Sequence, residues 1–565
     1  MRATWLVAAA LAACSPAKTS KPLPKAPSAP RPAATAAPRQ APKSELEQRL
    51  AELADERTRE EALARLEAMF EKALLDSEQD RSRDPAKRFI DASVARLTEL
   101  YVENDATIRA GGRASLLKLL DRFEDPRSEP ALRRAFEAFA AKPDDLRQLI
   151  DLKKLVRASA RLRVPALDAP MLQAFLALRA GTQSSLLAQD LEVALFATRS
   201  AAWADSLIPL LGAELPDGPT GDELGSEAYQ DQLFWQSTAA RVLGQIGDPR
   251  AVDPLFAVLL APKKLALKRD ALLGLVSLGA PARTTAVRLL QRGGEAARTA
   301  SEVLGMSGHP DALPPLLAAL RIEKDPTARA FFALALTKLP ATPEAIAAFQ
   351  KAYESLPPKT LLEPGVPAHE SLASAASLFF DSRLVGWLLA RADAAPKGAR
   401  QKALRSALLQ SALLLARSQE LPSVKAALDR YGEEKERTIH DQVAPLLSRC
   451  GEDTRCYLAE LDESVAPGPA ECRGVKAAWM LGVAGDVASR DGIVERLRRS
   501  DHLEGLMASA FALDRLTALD SNSVAEKLEA VVTAGHWSRD TVRRVLSSPS
   551  APLRDVIARL RGRAR

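Results

Sequence analysis

A tight turn recurs along the chain at nearly constant spacing, and it restricts the fold more than any other feature. Gly247-Asp248-Pro249 is followed 32 residues later by Gly279-Ala280-Pro281 and 29 residues after that by Gly308-His309-Pro310. Each element of the turn has a physical task. Glycine permits the left-handed backbone that ends a helix, aspartate accepts an exposed amide of the next helix, and proline fits the first helical position. Before the first copy, Trp235, Ala239, Leu243 and Ile246 form one helical stripe, with Gly244 and Gly247 allowing a close turn. After Asp248 and Pro249, Val252, Leu255, Phe256 and Leu259 fall at i, i+3, i+4 and i+7 and form a facing stripe. Gly305 precedes Gly308 and Pro310 as Gly244 precedes Gly247 and Pro249, Asp125-Pro126-Arg127 is a partial early copy, and Gly482-Val-Ala-Gly485-Asp486 is a late one. A single helix pair cannot bury its own apolar face, so a self-similar series of pairs predicts a stacked array.

Composition agrees. The chain has 565 residues, too many for one compact core, and is 47% hydrophobic but only 5% aromatic. Ala, Leu, Arg and Glu dominate outside the Pro-rich start, and these are strong helix formers. Alternating runs of β-branched and aromatic residues are few, so almost no sheet is expected. The predicted fold is all-α: an α-solenoid of stacked antiparallel helix pairs. Its first helix opens at Ser44-Glu45-Leu46-Glu47, a capping box, followed by Leu50 and Leu53. In the charged stretch 45–88, Leu63, Leu66, Phe70 and Leu74 keep one stripe. A short coiled coil is the alternative there, but Asp76 to Pro85 interrupts it before three heptads are complete. The expected organisation is 1–13, 14–43, an N-terminal helical region 44–200, repeats 201–350, and further helical repeats 351–565.

These turns and stripes resemble the short bacterial HEAT-like repeat, also seen in phycobilin-lyase relatives. The resemblance implies a curved superhelix with a concave surface, and such surfaces usually bind proteins or peptides. The spacing of about 30 residues is shorter than the roughly 40–47 of standard HEAT units, and His309 and Val487 depart from Asp-Pro.

The first residues read as an address. An apolar run over residues 3–13 follows Arg2 and is too short to span a bilayer, which is the layout of a secretory signal. Leu11-Ala12-Ala13-Cys14 matches the lipobox of bacterial lipoproteins, which implies diacylglycerol on Cys14 and cleavage before it. The alternative is an ordinary signal with a chance cysteine. By the same resemblance, Ser15 after the cysteine favours the outer membrane, with the body facing the periplasm or cell surface. Residues 15–43 hold eight Pro and eight Ala, with Leu23 the one larger aliphatic residue, so they form a spacer with no core. At ~3.1 Å per residue it could reach ~90 Å.

Net charge is +6 with pI near 9.1, yet residues 1–43 carry seven basic residues and no acid. The remainder has 71 basic against 72 acidic residues, so the body lacks the global basic bias that nucleic-acid binding favours. Three loops interrupt the array: the acidic stretch Gly212 to Gln232, the Pro-rich Pro357 to Glu370, and Ser464 to Gly474. The acidic loop is read as a solvated insertion, since no calcium-loop spacing is present.

An exported protein meets oxidising conditions, so Cys450 and Cys456 are expected to pair, with Cys472 free or alternatively paired. On one straight helix their Cα atoms would lie ~9 Å apart, and Gly451 supplies the break that a bridge needs. A metal site with His440 is the rival, although its spacing matches no usual zinc pattern. The His-Glu-x-x-His, Gly-x-Ser-x-Gly and phosphate-loop motifs are absent, and Ser115-Leu-Leu-Lys118 lies in a Leu-rich helical run with no Lys-Thr-Gly downstream. No catalytic residue, cofactor or metal is expected. The reading is a monomeric, lipid-anchored, non-enzymatic scaffold or adaptor that binds an envelope protein or peptide and no nucleic acid. Its rivals are an enzyme or enzyme accessory with a site assembled from scattered residues, and a passive spacer.

Overall fold

The computed structural model describes residues 44–104, 108–145, 164–178, 198–216, 225–396, 401–463, 469–484, 486–497, 503–516, 524–528 and 551–565, with 162, 195 and 398. Cys14 and the spacer, Gly485, and residues 217–224 of the acidic loop lie outside them, as does the side chain of Cys472. The fold is an all-α solenoid, in two compact units that divide between Val242 and Leu243.

The unit 19–242 contains α1 (Glu45–Glu52), α2 (Arg59–Asp76), α3 (Ala86–Asn104), α4 (Ala110–Phe123), α5 (Glu129–Ala141), α6 (Asp168–Ala177), α7 (Ala204–Gly212) and most of α8 (Glu227–Ile246). The capping box forms: Ser44 Oγ accepts the Glu47 amide at 3.3 Å and Glu47 accepts the Ser44 amide at 2.9 Å. The chain turns at 53–58, so α1 and α2 are separate helices and not one coiled-coil strand. Helix α2 buries Leu63, Leu66, Phe70 and Leu74 against α3 and α4. There Phe70 meets Phe89 and Phe123 with ring centroids 5.4 and 4.9 Å apart. Lys118 of the Ser-x-x-Lys sequence pairs with Glu67, an ordinary contact between helices.

The unit 243–565 begins with the last turn of α8 and continues through α9 (Val252–Leu260), α10 (Lys268–Leu278), α11 (Ala280–Leu290), α12 (Gly294–Ser307), α13 (Leu313–Ile322), α14 (Pro326–Leu336) and α15 (Pro343–Ser355). A hairpin, β1 (Leu361–Glu363) with antiparallel β2 (Val366–Pro367), occupies the Pro-rich loop. Then follow α16 (Ala368–Ala375), α17 (Leu384–Ala394), α18 (Lys402–Leu415), α19 (Leu421–Tyr431), α20 (Glu434–Cys450), α21 (Thr454–Glu463), α22 (Pro469–Ala484), α23 (Val487–Leu497), α24 (Leu503–Leu516) and α25 (Ala551–Ala564).

Alternate helices form an inner row: α10 packs on α12, α12 on α14, α14 on α16, α16 on α18, α18 on α20 and α22, α20 on α22, and α22 on α24. Leu243, Leu255, Leu275, Leu304, Leu316 and Leu336 are wholly buried in this unit, each contributing about 1.5–3 kcal/mol relative to exposure. The turns explain the close stacking. Gly247, Gly279 and Gly308 have φ of +84°, +73° and +62°, where a side chain is strained. A Cβ on Gly244 would lie 2.7 Å from the Gly274 Cα, and one on Gly305 2.7 Å from the Ala335 Cα, so these two positions let neighbouring helices touch backbone to backbone. Asp125 and Asp248 each accept the amide two residues on at 2.9 Å, with Pro126 and Pro249 in the first helical position. His309 takes the same role: its Nδ1 accepts the Asp311 amide at 3.2 Å ahead of the turn begun by Pro310. Asp486 accepts the Ser489 amide at 2.6 Å and starts α23.

Helix α25 is not one more repeat at the end of the row. It packs on α24 and returns to α10 and α12, closing the inner row of this unit on itself.

Candidate protein-interaction site

The site is built from the most generic groups a helix has. The last four carbonyls of a helix have no partner within it and carry the negative end of its dipole. In the unit 243–565 several inner elements end toward one interior, and cationic side chains from α22, α24 and α25 meet their carbonyls. Arg565 donates to the carbonyls of Gly244 (2.7 Å), Gln245 (2.6 Å) and Ser277 (3.2 Å), at the ends of α8 and α10. Arg559 donates to the Lys338 carbonyl just past α14 at 3.3 Å. Arg515 reaches the carbonyls of Leu339 and Phe379 at 3.3 and 3.2 Å, and Lys476 those of Leu413, Leu414 and Ala416 at 2.6–3.0 Å. A planar guanidinium with five donors suits this task, because it can bridge carbonyls of successive helix ends.

One carboxylate anchors the arrangement. Asp514, on α24, pairs with Arg559 at 2.7 Å and Arg563 at 2.9 Å, all three with side chains 10–13% exposed. Its backbone carbonyl also accepts from Arg563 at 2.8 Å. At the other edge, Asp555 pairs with Arg269 at 2.7 Å, and Arg283 donates to the Gly562 carbonyl at 2.8 Å. Burial pushes the Arg559 guanidinium and the Lys338 ammonium down from their ordinary values and raises the Asp555 carboxyl, against the pull of Arg269. Burial also holds Lys476 at about 7. These cations sit among helix ends because the carbonyl dipoles supply the negative potential that bulk water would otherwise provide.

The repeat glycines have a second task here. A Cβ on Gly247 would lie 2.6 Å from Arg565, one on Gly279 2.7 Å from the Gly562 carbonyl, and one on Gly308 would collide with Arg563. Conversely, a Cβ on Gly562 would overlap the Val276 carbonyl oxygen. The residues that turn the chain are thus also the floor on which α25 lies. Val556 to Gly562 are buried at seven successive positions, so every face of that stretch is covered.

The structure distributes the sequence-selected residues unevenly. Gly244, Gly247, Gly305 and Gly308 fall in the interior beside α25 or between its neighbours, whereas Gly482 accommodates Phe380, whose ring stacks on Trp479 with centroids 4.6 Å apart. Cys450 ends α20, Gly451 turns with φ +56°, and a disulfide joins Cys450 to Cys456 across a Cα separation of 5.4 Å. The two sulfurs are bonded to each other in this structure. His440 lies 3.1 Å from Asp441. Among the described residues no group of three or more His, Cys, Asp or Glu is placed to hold a metal ion, and no helix is long and apolar enough to cross a membrane. The residues that sequence reasoning missed are Lys476, Asp514, Arg515, Arg559, Arg563 and Arg565. Four of these are arginines, and for the three in 551–565 the excess of Arg over acid in that stretch was the available signal.

Paired antiparallel helices in an inner and outer row, linked by Gly-x-Pro turns, define an α-solenoid. The family model of the PBS lyase HEAT-like repeat matches residues 235–260, the helix pair formed by the end of α8 and α9. No curated protein matches. Among solved structures, human deoxyhypusine hydroxylase in complex with glycerol is similar at 19% identity over 59% of this chain and 96% of that one, with a TM-score of 0.18.

Proposed function

We propose that this chain is a protein-binding scaffold of the bacterial cell envelope, tethered by lipid on Cys14 and working without catalysis. The observation that carries the binding half is the interior of the unit 243–565, which already holds a helix through backbone carbonyls, one aspartate and an apolar floor. That is the chemistry of recognising a helical protein segment, with no reacting group required. HEAT-like arrays present such surfaces in general, which supports the reading by analogy. The tether half rests on the lipobox match and the Pro/Ala spacer: two or more acyl chains hold a protein at a membrane, each buried methylene contributing about 0.8 kcal/mol.

Crosslinking the full chain in its native envelope, followed by mass spectrometry, tests the binding half. A specific envelope protein recovered with contacts to residues 243–565 is expected, and recovery of none contradicts the scaffold reading. Acyl-chain labelling of wild type against Cys14→Ser tests the tether, and label that persists in the variant refutes it.

A further inference from the structure

Helix α25 makes side-chain contacts with residues 221–286 positions away in the chain. The inner helices from α10 to α24 pack each on the next in the row, with α22 and α24 also reaching back to Phe380 and Leu339, whereas α25 contacts partners still farther away, such as Arg269, 286 positions before Asp555. Its footing on the array has three parts. Val556, Ile557 and Leu560 are 0–4% exposed and fill the apolar floor. Gly562 lies flat on the α10 terminus, where any larger residue meets the Val276 carbonyl. Arg559 and Arg563, one helical turn apart, reach Asp514 together, while Arg559 and Arg565 reach carbonyls of helix ends. The acceptors are mostly backbone oxygens, which carry no side-chain identity. What the receptor reads is therefore a pattern on the guest: aliphatic residues, a glycine, and two arginines spaced i, i+4.

Resting on the scaffold reading above, we infer that residues 551–565 are an intramolecular stand-in for a partner protein. The interior they fill is a docking site for an arginine-bearing helix of the same pattern. The tethered helix keeps the site closed, and a partner helix enters by replacing it. Because a tethered segment competes at an effective concentration of ~mM, the intact chain binds such a helix weakly, and loss of the tether raises its affinity without adding a contact.

The test uses the full chain with a protease recognition sequence inserted between Ser548 and Pro549, and a fluorescent peptide of residues 551–565. After cleavage, the peptide is expected to exchange with the released fragment, read by anisotropy and size exclusion. Binding to uncut chain should be at least ~10-fold weaker. A peptide carrying Arg559→Ala and Arg563→Ala should lose at least ~10-fold in affinity, and Asp514→Asn in the cut chain should weaken the unaltered peptide. Circular dichroism of the Asp514→Asn chain verifies that its helices persist. If the fragment never exchanges, if the cut chain aggregates, or if the altered peptide binds equally well, α25 is a permanent part of the core and the inference is overturned. Capture of an envelope partner together with failed exchange would leave the scaffold reading standing and remove this one.

Discussion

Gly562→Ala gives the sharpest test of how α25 is seated, because two general effects predict opposite signs. In a helix interior, replacing Gly by Ala normally stabilises by about 0.5–1 kcal/mol. In this structure the new Cβ would overlap the Val276 carbonyl oxygen and lie 2.9 Å from the Val276 carbonyl carbon. Neither atom can swing aside, since both belong to the backbone of α10, so the helices must separate. Overpacking of this kind costs about 1–3 kcal/mol. The expected balance is a net loss of about 1–2 kcal/mol, which lowers the melting temperature of a large unit by roughly 2–4 °C. Gly386, in α17, is the control: a Cβ there meets nothing within 4 Å, so Gly386→Ala should be neutral or stabilising. Calorimetry of the two full-length variants decides the matter. If Gly562→Ala raises the melting temperature as Gly386→Ala does, α25 does not lie against α10 and the reasoning fails.

Gly308→Ala should destabilise by at least about 1 kcal/mol, since it strains a residue at φ +62° and displaces Arg563, and urea unfolding measures this. Lys476 is held by burial at about 7, against its ordinary 10.5 in the unfolded chain. Between those values the unfolded state binds more protons, so stability should rise with pH from about 7 to about 10.5, by up to ~5 kcal/mol. Lys476→Met should flatten that slope in denaturant titrations across the range, and an unchanged slope would assign the titration to another group. The bridge between Cys450 and Cys456 closes a short loop and should contribute about 2 kcal/mol, lost in the Cys450→Ser/Cys456→Ser double variant and read by non-reducing peptide mapping with thermal unfolding.

The repeat was legible in sequence because its turn residues are chosen by local backbone physics. Gly247 and Gly308 need positive φ, Pro249 and Pro310 fit a first helical position, and Asp248 has an amide to cap. These requirements hold whatever surrounds them. His309 looked like a departure, yet an imidazole nitrogen accepts the same amide, so the cap survives the change of residue. The capping box at Ser44 was readable for the same reason.

The return of α25 was not legible. A segment containing Arg554, Arg559, Arg561, Arg563 and Arg565 reads as solvent-exposed, and the expected continuation of repeats through 351–565 left no place for it inside. Its acceptors are main-chain carbonyls, which every residue possesses, so no pattern marks them. Asp514 gave no sign either, since a single aspartate in an amphipathic helix ordinarily faces water. The turn glycines were recognised for their φ, but their role as floor for a distant helix depends on tertiary approach, which spacing along the chain cannot encode.

The central claim is that the interior of the unit 243–565 is filled by the chain's own C-terminal helix. Native-state hydrogen exchange of the unaltered chain tests it most directly. Amides of residues 556–562 are expected to exchange as slowly as those of α10 and α12, on which they pack. Exchange at the rate of a free peptide over that stretch would contradict the account.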